Sequence, residues 1–180
     1  MTTVFLTGDS CDSGLESLIK SNLSNTYRVT YIKGNSISRL GKGYDILVLD
    51  APHIGHIELS ECIVVMKAFG EVPSTALPQK SIVIANSENT EQLNALEAFK
   101  QRVISCGKNN RDTLSYTSLT HDGIVISLNR EITAFSGKKI EPLEIPVKFT
   151  FTPDNVYDTI AYTALRLILD DYDSEIGLLY

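Results

Sequence analysis

Along the chain, a short apolar run, Val4-Phe5-Leu6, gives way to the small polar stretch Thr7 to Gly14, then to apolar positions Leu15, Leu18, Ile19 and Leu23. That last set falls at i, i+3, i+4 and i+8, one stripe of a helix, so the segment predicts a strand, a tight turn and a helix. Tyr27 to Ile32 is rich in β-branched and aromatic residues and predicts a second strand, followed by a polar, glycine-containing connection from Lys33 to Gly43. Ile46-Leu47-Val48-Leu49, ending in Asp50, and Cys62-Ile63-Val64-Val65-Met66 are apolar runs without alternation, the pattern of strands buried on both faces of a parallel sheet. Between them, Ala51 to Glu61 reads as a loop, and Gly70 to Lys80, with its prolines, as irregular. Ser81 to Asn86 predicts the next strand. Thr90 to Lys100 predicts a helix with Leu93, Leu96 and Phe99 on one face, and Arg102 to Cys106 a strand stopped by Gly107. Asn89 and Gln92 have the spacing of a capping box at the start of that helix.

Beyond Gly107 the pattern changes. Leu114 to Leu119, Gly123 to Leu128 and Glu131 to Phe135 are short, partly alternating runs split by His121-Asp122-Gly123 and Asn129-Arg130, which predicts a small antiparallel meander. Leu143 to Phe151 adds an extended segment. Pro153-Asp154-Asn155 opens a helix from Val156 to about Asp170, whose broad apolar face predicts deep burial. The tail from Asp171 is acidic, then apolar, and suits docking on the body or on a partner. The alternation implies one α/β domain over residues 1–180, a mostly parallel sheet flanked by helices, with a small antiparallel sheet near the C-terminal third, about residues 112–151.

Composition narrows the classes. The chain has 180 residues, 43% hydrophobic and 21% charged, enough for one domain with a sizeable core. A net charge of −6 and a pI near 5.0 argue against nucleic acid or an anionic membrane as partner. No apolar run approaches the roughly 20 residues of a membrane-spanning helix, and the N-terminus lacks the pattern of a secretory leader. Three widely spaced cysteines, Cys11, Cys62 and Cys106, without a C-x-x-C pair, fit a reduced, cytoplasmic setting.

Candidate chemistry concentrates in the first turn. Helix starts after a strand hold phosphates on backbone N–H groups, yet a P-loop needs a Lys that this turn lacks. Instead it carries Asp9 and Asp12. Asp12 and Ser13 read either as a remodelled nucleotide site or as a helix cap with an acid at the positive end of the dipole. His53 and His56, with Glu58 nearby, have metal-compatible spacing, but a Pro/Gly loop with no fourth ligand points away from zinc, and no metal is expected. Lys108 and Arg111 read as an anion site at the sheet's carboxyl edge or as a solvated basic turn. Cys11 sits where a helix start lowers a thiol's pKa, opposed by the neighbouring carboxylates.

The order of these segments resembles the central ATP-binding domain of the Mur ligases and their folylpolyglutamate synthetase relatives, enzymes that activate a carboxylate as an acyl phosphate and join it to an amine. Leu6-Thr7-Gly8 and the following helix resemble the family's T-G-T-N-G-K-T-T loop. Asp45 to Asp50 resembles its D-x-x-V-x-E strand, Ile82 to Glu88 its V-x-N-x-D-D strand and turn, and Asp154 to Ala161 its G-x-H-N-x-x-N-x-x-A helix start. By that resemblance Asp12 replaces the phosphate-binding Lys, and Cys11 the glycine before it. Ser13 keeps the hydroxyl that would face Mg²⁺, and Asp50 replaces the Mg²⁺-binding Glu. Asn155 matches the Asn near the adenine, while Asp154 replaces the His before it. The stretch from Asp50 to Ser81 is too short for the family's second metal-binding region. The flanking UDP-sugar and amino-acid-binding domains are not expected in these residues.

The resemblance implies a vestigial nucleotide site formed by Gly8, Ser10, Asp12, Ser13, Asp50, Asn86 and Asn155, with no catalytic residue. It implies a non-catalytic binding or assembly module, a pseudoenzyme, with an unidentified protein partner and no cofactor beyond weak ATP/Mg²⁺ binding. The alternative is an ATP-dependent ligase-like or other nucleotide-binding enzyme with an altered P-loop.

Overall fold

The computed structural model describes residues 1–69, 77–99, 101–148, 156–172 and 178–179. Its first half is a parallel α/β unit. β1 (Thr2–Thr7) feeds α1 (Gly14–Leu18), a π-helical turn over Ile19–Leu23 and α2 (Ser24–Thr26), which together form one continuous helical segment. The expected apolar stripe is buried: Leu15, Leu18, Ile19 and Leu23 all face the core. β2 (Arg28–Lys33), β4 (Asp45–Ala51), β5 (Ile63–Met66), β6 (Ile82–Asn86) and β7 (Arg102–Cys106) match the apolar runs closely. α3 (Thr90–Phe99) connects β6 to β7.

The stretch after β2 departs from expectation. The connection from Lys33 to Gly43 contains a strand, β3 (Ser36–Leu40), which returns antiparallel to β2 across the two-residue turn Gly34-Asn35, with Lys33 opposite Ser36. Gly34 takes φ +55° there, the positive φ such a hairpin turn demands. β3 is a mostly exposed edge strand, so it buries no apolar face and leaves no hydrophobic pattern in the sequence.

The second part is antiparallel as expected: β8 (Leu114–Leu119), β9 (Gly123–Leu128) and β12 (Leu143–Lys148) pair in that sense. They extend the main sheet, joined through a single parallel bridge, Cys106 to Leu114. Glu131 to Phe135, expected as the third strand of the meander, instead gives β10 (Ile132–Thr133), which pairs with β11 (Lys139–Ile140) in a separate two-stranded ribbon, and β12 takes the place beside β9. β13 (Leu178–Leu179) adds to β12 in parallel. The large sheet runs β13-β12-β9-β8-β7-β6-β5-β1-β4-β2-β3.

Helices cover both faces. α4 (Val156–Ile168) and the α1 segment pack on one side, over Val4, Leu6, Val48, Val65 and Ile84. On the other, Leu96 of α3 closes a smaller core of Cys62, Val64, Met66, Val83 and Ala85. α4 is buried on nearly every side, as its broad apolar face requires. No helix among the described residues is long and apolar enough to cross a membrane.

Candidate functional site

The chain leaves β1, builds β2 and β4 on one side of it, then crosses to build β5, β6 and β7 on the other. The carboxyl ends of β1 and β5 therefore flank a topological switch point, the place where open α/β sheets hold ligands. The loop after β1 lies there. Gly8 has φ +134°, and a Cβ on it would lie 2.5 Å from the Phe69 carbonyl and 2.8 Å from the Lys67 Cβ. Only glycine lets the backbone pass this closely. One backbone bond ties the loop to the segment after β5, Asp9 N donating to Phe69 O at 2.8 Å, and the Asp9 side chain shapes it from within, its Oδ1 accepting Cys11 N at 2.8 Å.

The helix start is capped by a carboxylate. Asp12 Oδ1 accepts the Gly14 amide at 3.2 Å, whereas Ser13, the formal cap residue, makes no side-chain cap bond. Asp158 of α4, only 3% exposed, lies directly against Gly14, where a Cβ would overlap its Oδ2. Two carboxylates thus crowd the beginning of α1. Ser10, Cys11 and Ser13 are exposed.

Asp50, next to last in β4, lies beneath this loop and is 5% exposed. Its Oδ1 lies 2.8 Å from the Lys67 Nζ, its Oδ2 accepts the Tyr31 hydroxyl at 2.7 Å, and Lys33 Nζ stands 3.8 Å away. Burial, reinforced by the hydrogen bond to Asp50, pushes the Tyr31 phenol well up, so it stays a donor. Lys33 also meets Glu16 at 2.7 Å, and Lys20 meets the same carboxylate at 2.6 Å. Burial raises the Glu16 carboxyl, but the hydrogen bonds from Lys20 and Lys33 outweigh it and hold it below the usual range. Lys20 also rests over the Tyr31 ring, 4.5 Å from its centroid.

Lys67 is the residue that sequence reading missed. It follows the last residue of β5, has no exposed surface, and also donates from Nζ to the Asp9 carbonyl at 3.2 Å. Gln92 Nε2 donates to its backbone carbonyl at 3.1 Å, tying α3 to the same point. The capping spacing is real: Asn89 Oδ1 accepts Gln92 N at 3.1 Å.

Asn86 lies at the end of β6, two strands from β1. Its Oδ1 accepts Glu88 N at 3.0 Å, and it lines an open cleft of about 540 Å³ along the carboxyl ends of β5, β6 and β7. Phe69, Tyr116 and Tyr157 supply aromatic surface there, and Glu91 and Lys108 reach its rim. Lys108 pairs with Glu88 at 3.1 Å, while Arg111 offers its carbonyl to Arg130 at 2.7 Å. Asn155 and Asp154 lie outside the described residues. His56 pairs with Glu58 at 3.0 Å on the surface, and among the described residues no three His, Cys, Asp or Glu side chains gather as a metal would need. The structure thus brings Gly8, Asp12, Ser13 and Asp50 to one place and sets Asn86 at the neighbouring cleft.

No protein-family model and no curated protein matches the chain. Among solved structures it is similar to a MurF ligase from Thermotoga maritima in complex with ADP, at a TM-score of 0.57 and 14% identity over 96% of this chain. The chain has a Mur ligase-like fold. It spans about half the length of that ligase, 47% of its chain. At this identity the similarity concerns the fold, and the site must be read from its own residues.

Proposed function

We propose that this Mur ligase-like domain is a non-catalytic binding or assembly module whose nucleotide loop no longer accepts a nucleotide. The observation that carries this reading is the pair of carboxylates at the start of α1, with Asp12 bonded to the Gly14 amide and Asp158 packed against Gly14. Negative charge from the chain itself stands where a phosphate would need amides and a cation. Asp50, the acid that would face Mg²⁺, is committed to Lys67 and Tyr31 instead. Gly8, Ser10, Asp12, Ser13, Asp50, Asn86 and Asn155 are then remnants of a nucleotide site. Binding belongs to the cleft beside Asn86, which has room for a small ligand or for a side chain of a protein partner.

Calorimetry with Mg-ADP and Mg-ATP tests this directly, ADP being the ligand of the structurally similar ligase. The expected result is no saturable binding below about 1 mM, worth some 4 kcal/mol or less. A unit charge pair at 4 Å is worth about 4 kcal/mol at an effective dielectric of 20, so Asp12→Lys should raise affinity by at least tenfold. A micromolar dissociation constant for the unaltered chain, or nucleotide turnover lost on Ser13→Ala, overturns the reading.

A further inference from the structure

We propose that Lys67 is a tethered cation that latches the loop Gly8 to Asp12 shut over the carboxyl ends of the sheet, so that the closed loop needs no ligand. Three oxygen acceptors converge on its Nζ: Asp50 Oδ1 at 2.8 Å, Asp50 Oδ2 at 3.1 Å and the Asp9 carbonyl at 3.2 Å. An ammonium carries three protons, so the donors and acceptors match one for one. Two of those oxygens belong to the sheet and the third to the loop, and the lysine is the bridge between them.

Apart from the backbone bond from Asp9 N to Phe69 O at 2.8 Å, the loop has few other means of staying down. Asp9, Ser10, Cys11 and Ser13 are exposed, so it buries little apolar surface. Its Asx-type bonds, Cys11 N to Asp9 Oδ1 and Gly14 N to Asp12 Oδ1, are internal and shape the loop without attaching it. Gly8 makes the bridge possible, because its missing Cβ is what allows the Lys67 stem to cross the end of β1. An all-oxygen cage containing a carboxylate is the donor set that otherwise takes a free hard cation or a primary amine. Here the cation is part of the chain, so its effective concentration is high and the closed state does not depend on what is dissolved around it. This deepens the reading of a retired nucleotide loop, yet it is measured without nucleotide, so either can fail alone.

Hydrogen exchange at the amides of Asp9, Cys11 and Asp12 reads the latch. Lys67→Ala removes three carbons and the ammonium, which are the atoms of n-propylammonium. Exchange at these amides should rise at least tenfold in Lys67→Ala and return towards the native rate on adding n-propylammonium, but not on adding n-propanol, which lacks the charge. The double variant Asp50→Asn/Lys67→Met replaces the buried pair by uncharged side chains of similar size. It should keep the native exchange pattern in β6 and β9 while the loop amides still exchange at least tenfold faster. Native-like loop exchange in either folded variant, or rescue by n-propanol equal to that by n-propylammonium, overturns the proposal. Should Lys67→Ala not fold, the double variant decides.

Discussion

Gly14→Ala tests whether a carboxylate truly fills the start of α1. On helix propensity alone the change should help, since alanine is favoured over glycine in a helix by up to about 1 kcal/mol. The structure reverses the sign. The new methyl would overlap the Asp158 Oδ2 and lie 2.9 Å from its Cγ, well inside van der Waals contact. Asp158 is 3% exposed and anchored in α4, which is itself buried on nearly every side, so it has nowhere easy to go. Overpacking of this kind costs about 1–3 kcal/mol, and displacing a buried carboxylate from its partners adds about 1–3 kcal/mol more. Set against the propensity gain, the net loss should be about 1–5 kcal/mol, or roughly 3–15 °C in melting temperature for a domain of this size. In an Asp158→Ala background the carboxylate overlap is gone and what remains of that side chain is the Cβ at 3.5 Å, an ordinary contact. There Gly14→Ala should be neutral or mildly stabilising, and the double-mutant cycle should show a coupling equal to the overpacking and displacement terms together, about 2–6 kcal/mol. Thermal and urea unfolding of the four proteins provides the cycle. If Gly14→Ala stabilises the unaltered chain, Asp158 does not occupy the helix start and the carboxylate-filled cradle is wrong.

Three further outcomes follow from other parts of the molecule. Tyr31→Phe keeps the ring beneath Lys20 but removes the 2.7 Å hydrogen bond to buried Asp50; bonds to charged groups are worth about 1.5–3 kcal/mol, and a change under 0.5 kcal/mol in urea unfolding would show that Asp50 does not depend on that hydroxyl. Cys11 is exposed while Cys62 and Cys106 are buried, and burial with Asp112 nearby pushes the Cys106 thiol up; a thiol reagent should label one cysteine per native chain, none in Cys11→Ser, and three on unfolding. Burial, with Asp171 adding to it, pushes Tyr27 up to about 12, and burial pushes Tyr162 to about 12 against the opposing charge of Arg166. Unfolded phenols ionise near pH 10, so between about pH 10 and about pH 12 the folded chain holds more protons and its stability falls as pH rises, with no such loss below that window; urea midpoints that stay level across it would count against these burials.

Most of the sheet was legible because buried parallel strands write themselves as unbroken apolar runs, and the runs ending at Leu49, Met66, Asn86 and Cys106 needed nothing beyond their own composition. β3 was not, because an exposed edge strand has no face to bury and its pairing is set by the turn at Gly34 rather than by any hydrophobic period. The candidate site divides the same way. Gly8, Asp12 and Asp50 were visible because each sits inside or just beyond a recognisable segment. Lys67 was invisible because its meaning comes from strand order: β5 lies beside β1, with β4 on the other side, and no local pattern states that adjacency. A signal was nonetheless available once register is considered. Side chains alternate along a strand, and parallel neighbours keep the same face. Val29, Tyr31, then Lys33; Ile46, Val48, then Asp50; Val4, Leu6, then Gly8; Ile63, Val65, then Lys67: each strand sends apolar residues to the α1–α4 side and ends on a charge or on the glycine that makes way for one. A cation, an acid, a gap and a second cation along one carboxyl rim cannot be left unpaired beneath a loop, because a lone buried charge costs several kcal/mol. The strand order therefore forces Lys67 across Gly8 to Asp50, and the loop above inherits its closure from that pairing.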